Sequence, residues 1–222
     1  MIFFWILLYG LLYMAAETAA PLAGYWPWLI PLVMLGYILM LLCYLVYTGQ
    51  QKTVGLSAMQ RMTGLGFLCW IPMLLFPVMN LSGAASMEPL HGILLMFCVS
   101  FAEEILFRGY FLSTLVCRYG KWGILYTSLL FALMHSVNIL SGMPPFYVLM
   151  QVILAFFVGV YYSLSRIYFR SLYPSVIAHF LTNITAHSGD IIIGNCLILI
   201  VVLSCCGWIL YSKISSDLED IS

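Results

Sequence analysis

Residues 91–116 read HGILLMFCVSFAEEILFRGYFLSTLV. As a helix rising 1.5 Å per residue this stretch is about 39 Å long, enough to cross an apolar bilayer core about 30 Å thick. It lacks the strict alternation of a barrel strand, and a membrane segment must satisfy its own backbone hydrogen bonds. It therefore reads as a membrane helix, and the rest of the chain follows suit. The 222 residues are 64% hydrophobic and 7% charged, with a mean hydropathy of +1.07. Soluble domains carry about 25% charged residues, so a soluble fold is excluded. Net charge is zero and no basic stretch alternates with aromatics, which argues against nucleic acid as a partner.

Working outward, seven more apolar segments appear: Ile2–Ala16, Trp28–Tyr47 and Leu65–Leu81 before the quoted stretch, then Trp122–Leu140, Phe146–Leu164, Tyr173–Ala186 and Ile191–Tyr211. The expectation is an all-α polytopic membrane protein, a bundle of about eight transmembrane helices forming one membrane domain over residues 1–222. Met1–Ala16 lacks the positive start of a cleaved signal peptide and reads as a retained first span. Pro72 and Pro77 should kink the third segment. The seventh is short and carries polar residues, so it belongs inside the bundle. Lys52, Arg61, Arg118, Lys121, Arg166, Arg170 and Lys213 all fall on one side of an eight-span topology. Glu17, Glu88 and Asp190 fall on the other. The positive-inside rule then predicts a multi-pass protein of the cell membrane with both termini cytoplasmic. Trp26, Trp28 and Trp122 sit at segment ends, as interfacial aromatics do. The seven cysteines form no CxxC pair and read as small apolar side chains.

Three charges lie close together within the quoted helix: Glu103, Glu104 and Arg108. A charge at a helix centre costs about 2.5–3.5 kcal/mol on insertion scales, so all three need compensation. Glu104 and Arg108 are spaced i,i+4 and can pair on one face. Glu103 is turned about 100° away and must find water, a His or another donor inside the bundle. Two segments offer partners: Phe131-Ala132-Leu133-Met134-His135, and His179-Phe180-Leu181-Thr182-Asn183, whose His179 and Asn183 are again i,i+4. Threading puts Glu103 and His179 near mid-depth and His135 nearer the outer leaflet. Peptide hydrolysis needs an activated water, a proton donor for the leaving amine and hydrogen bonds to the oxyanion. A carboxylate beside a His can hold and deprotonate water. A second His with an Asn amide can serve the oxyanion.

In this order, Glu103-Glu104-x-x-x-Arg108, Phe131-x-x-x-His135 and His179-x-x-x-Asn183 resemble the three motifs of the CPBP (Abi) family. That family includes type II CAAX prenyl endopeptidases and bacterial bacteriocin-processing proteins. The resemblance implies an eight-helix membrane bundle with a peptidase core at approximately 90–187. It implies that Glu103 activates water, that His135 holds the same water, and that His179 and Asn183 form the oxyanion site. Glu104 and Arg108 would support them. It further implies glutamate-type catalysis with no cofactor, on a membrane-bound, lipidated or signal-like peptide reached from membrane lipid.

Other readings of the same residues remain open. Glu103, His179 and Asn183 could be plain interhelical contacts, and His135 a satisfied core histidine. A zinc peptidase would use His135, His179 and a Glu, although the His-Glu-x-x-His helix is absent. A transporter or bacteriocin-immunity-type binding protein could use the same buried cluster as a proton relay; the chain shows no internal repeat of the kind many transporters carry. His91 reads as an interfacial residue, His187 with Asp190 as a solvated turn, and Asn138 as a possible neighbour of the cavity.

Overall fold

The computed structural model describes residues 4–5, 8–12, 26–62, 64–80, 89–140, 142–185 and 193–219, and among them there is helix and no strand. Glu17, Glu88, His187 and Asp190, on which part of the loop reading rests, lie outside the described residues. The helices are α1 (residues 8–12), α2 (Leu29–Thr48), α3 (Gln51–Val54), α4 (Gly64–Leu68), α5 (Trp70–Asn80), α6 (Leu90–Tyr119), α7 (Trp122–Met134), α8 (Pro145–Phe169), α9 (Tyr173–Thr185) and α10 (Ile193–Glu219). A 3-10 segment, His135–Ile139, continues α7.

Each apolar segment of the sequence contains helix where it is described. Among the described residues, five stretches are long and apolar enough to cross a membrane: Leu29–Thr48, Leu90–Tyr119, Trp122–Ile139, Pro145–Phe169 and Asn195–Ser215. The third segment is divided, with α4 ending at Leu68 and α5 starting at Trp70. Pro72 explains the division: it has no N–H to give, and its ring crowds the carbonyl four residues earlier, at Leu68. Pro77 is accommodated inside α5. α6 and α8 run past their expected ends at Val116 and Leu164, so Arg118 and Arg166 sit in last helical turns rather than in loops. Cations there complement the exposed carbonyls of the helix C-terminus.

Packing is set by small residues and by which faces carry apolar bulk. α7 and α8 are closely apposed, and α8 also packs on α10. Where α7 meets α8, a side chain added at Gly159 would come within 3.1 Å of Ser128 Cβ, so the small residue permits the approach. Two buried apolar clusters result. One gathers Trp5, Tyr9, Tyr37, Leu41, Ala102 and Phe131 around α1, α2 and α6. The other gathers Met73, Leu112, Tyr161, Phe169, Leu199 and Leu210 around α5, α8 and α10. Large apolar side chains such as Leu39, Val46, Leu129, Leu133 and Val201 point outward, the surface a bilayer would cover. α9 has thirteen residues, about 20 Å of helix, too short to span. It is enclosed as expected, packing on α5, α6 and α8 and burying Ser175, Ala178 and His179.

Candidate active site

The polar residues of α6, α7 and α9 converge inside the bundle. α6 changes character at the point where its charges begin: Ile105–Phe111 is π-helical, directly after Glu104. Such i→i+5 segments are frequent at functional sites. The carbonyl of Phe107 in this segment also accepts a 3.0 Å hydrogen bond from Thr127 Oγ1 on α7. That bond ties the irregular turn to the neighbouring helix.

Glu104 and Arg108 form the expected pair. Arg108 Nη1 lies 3.0 Å from Glu104 Oε1, with the two side chains 1% and 0% exposed. The guanidinium also sits 3.9 Å above the centre of the Phe131 ring, a cation–π contact in a desolvated setting. Glu104 Oε1 accepts a second contact, 3.0 Å from His179 Nδ1. Glu104 Oε2 has no hydrogen-bond partner among the described residues. The carboxylate is therefore committed to holding a guanidinium and an imidazole. It orients His179, as a carboxylate behind a working histidine does.

With Nδ1 engaged, His179 presents Nε2 to Glu103, whose Oε2 is 3.6 Å away. Glu103 is the more open carboxylate, at 15% side-chain exposure. Its Oε1 accepts a 2.6 Å hydrogen bond from the hydroxyl of Tyr9 on α1. Glu103 also lines a cavity of about 40 Å³ together with Tyr9, Phe107, Phe131, Met134, His135 and Asn138. That space is enough to admit water. His135 stands at the junction of α7 with its 3-10 extension, Nδ1 donating to the Phe131 carbonyl at 3.0 Å. This bond leaves the Nε2 lone pair for the cavity. Phe131 separates the imidazoles, its ring edge-on to His135 at 4.9 Å and to His179 at 5.9 Å.

The structure thus brings Glu103 and His135 onto one cavity, and Glu104, Arg108 and His179 into one buried chain of contacts. Asn183 sits one turn along α9 from His179, and its amide donates to Ser100 Oγ at 3.0 Å. Asn138 lines the cavity and donates to Gln151 Oε1 at 2.8 Å. His91 lies away from the site, its ring against Trp28. Tyr9 and Ser100 were not foreseen. One tyrosine among fifteen carries no signal until α1 is placed beside α6. A catalytic zinc commonly takes three converging protein ligands. Among the described residues no three His, Cys, Asp or Glu side chains are grouped to hold a metal, and His179 Nδ1 is already spent on Glu104.

An all-α, multi-pass membrane bundle with carboxylates and imidazoles gathered in its interior defines the class: a polytopic membrane protein with a buried polar site. Residues 85–185 match the family of the type II CAAX prenyl endopeptidase Rce1-like proteins. The match encloses both acidic residues, Arg108, both site histidines and Asn183, and supports likeness to the CPBP family of intramembrane proteases over this segment. No curated protein and no solved structure matches the chain.

Proposed function

We propose that this protein is a glutamate-type intramembrane endopeptidase that cleaves a membrane-associated, lipidated or signal-like peptide. The observation that carries the reading is the water-accessible cavity faced by both Glu103 and His135. Glu103 takes a proton from water as the water oxygen adds to the scissile carbonyl carbon, with His135 Nε2 accepting the other water proton as a hydrogen bond. The negative charge moves to the former carbonyl oxygen. His179, protonated and held through Nδ1 by Glu104, donates from Nε2 to that oxyanion, and the Asn183 amide turns from Ser100 to join it. As the tetrahedral intermediate collapses, the C–N bond breaks. Glu103 then returns its proton to the leaving amine.

Glu104 and Arg108 support the site by fixing His179. Charges are balanced within the buried cluster, so the machinery can reside in an apolar bundle. The chemistry needs no bound cofactor. The seven loop and helix-end cations support an orientation in the cell membrane with both termini in the cytoplasm. The substrate reaches the site from membrane lipid. The test is cleavage of a candidate substrate in proteoliposomes. Glu103→Ala and His135→Ala should each abolish it while the protein remains folded. Retained cleavage in either variant would defeat the reading.

A further inference from the structure

We infer that Tyr9 is a positioning residue for the catalytic carboxylate, supplied from outside the segment that matches the family. The inference rests on the endopeptidase reading of Glu103. Tyr9 lies on α1 and is 2% exposed, far in sequence from residues 85–185. Its hydroxyl is 2.6 Å from Glu103 Oε1, the short distance expected of an O–H donating to a charged acceptor. The same side chain lines the cavity that holds Glu103 and His135.

The hydroxyl is aimed by a chain of aromatic contacts. Tyr9 packs on Tyr37 of α2 at 5.9 Å. Tyr37 is fully buried and donates its own hydroxyl to the carbonyl of Trp5 at 3.0 Å. Trp5 in turn packs against Tyr37 and Tyr44. α2 packs against α6, so this ladder registers α1 against the helix that carries Glu103.

The consequence for Glu103 is geometric. One carboxylate oxygen is held by Tyr9, and the other lies 3.6 Å from His179 Nε2, too far for a hydrogen bond. Tyr9 thereby keeps Glu103 from closing to hydrogen-bond distance of His179. A closed pair would withdraw the base from the cavity and the oxyanion donor from the substrate together. A displacement of about 1 Å in a catalytic group can cost roughly 100-fold in rate.

The experiment compares wild type, Tyr9→Phe and a Tyr126→Phe control on the exposed face of α7. A quenched fluorescent peptide ending in a farnesylated CAAX motif, the class named by the family match, reports cleavage. An apolar carbodiimide reports the carboxylate independently of substrate. It takes up the carboxyl proton, the carboxylate oxygen adds to its central carbon, and the O-acylisourea rearranges to a stable N-acylurea that mass spectrometry locates. Tyr9→Phe should lower kcat by about 100-fold with KM unchanged. It should also label Glu103 roughly tenfold faster, since Oε1 loses its donor. Tyr126→Phe should match wild type in both assays. Equal Glu103 labelling in wild type and Tyr9→Phe, or an unchanged kcat, overturns the inference. If the wild type cleaves nothing, the endopeptidase reading suffers, while faster Glu103 labelling in Tyr9→Phe still upholds the Tyr9 contact.

Discussion

Replacing Arg108 by Met removes one half of an ion pair whose members are 1% and 0% exposed and 3.0 Å apart. Glu104 would be left in an apolar interior with His179 and Ser175 as polar neighbours. Breaking a buried pair by deleting one partner costs about 3–5 kcal/mol, because the other charge is stranded. The loss of the guanidinium over Phe131 acts in the same direction. For a chain of this length 1 kcal/mol corresponds to about 2–4 °C in Tm, so the expected drop is roughly 6–20 °C. Thermal unfolding in mild detergent, followed by the fluorescence of the six tryptophans, measures it. Glu104→Gln should also destabilise, since it strands the guanidinium. Combining Glu104→Gln with Arg108→Met removes both charges and should recover most of the loss, because isosteric neutral replacement of a buried pair is often nearly neutral. The signature is strong non-additivity in the double-mutant cycle. A Tm for Arg108→Met within 2 °C of wild type, or a double variant whose loss is the sum of the two singles, would refute a coupled buried pair.

Two further outcomes follow from the site. Asn183→Ala should reduce kcat by roughly 100–1,000-fold as an oxyanion donor is lost, whereas Ser100→Ala, which removes only the resting partner of Asn183, should leave kcat within about threefold; equal effects in cleavage assays would reduce Asn183 to a structural contact. Exhaustive chelation with a membrane-permeant chelator should leave cleavage unchanged if water is activated by Glu103 alone, in keeping with the absence of a three-ligand group among the described residues; loss of activity that zinc restores would return the zinc reading.

The sequence was most informative where physics leaves few options. Apolar runs near bilayer length must be helical, and each of them contains helix in the described residues. The Glu104–Arg108 pair was legible because i,i+4 spacing on one helix is a local fact. So was the need for Glu103 to find a donor elsewhere. Which donor it finds was not legible, because Tyr9 and Glu103 are 94 residues apart and only packing of α1 and α2 on α6 joins them. The π-helical turn at Ile105–Phe111 was equally silent, since Ile-Leu-Phe-Arg-Gly-Tyr-Phe suits an ordinary helix. Its support comes from Thr127 on another element. The break at Cys69 shows the intermediate case: Pro72 announced a distortion, and the clash with the carbonyl of Leu68 decided its position. His179 illustrates the limit of motif reading. Spacing aligned it with Asn183, but its contact with Glu104 makes the supporting carboxylate its anchor and leaves Nε2 for chemistry.

The central claim is that Glu103 activates water for peptide cleavage within the membrane. The direct measurement is a comparison of membrane peptides from cells expressing wild type, Glu103→Ala, and Lys213→Ala, an exposed change on α10. At equal expression, new peptide ends should appear with wild type and Lys213→Ala and be missing with Glu103→Ala, and those ends would identify the substrate. Identical peptide profiles from all three would contradict the claim and leave the buried cluster to be explained as a binding or transport site.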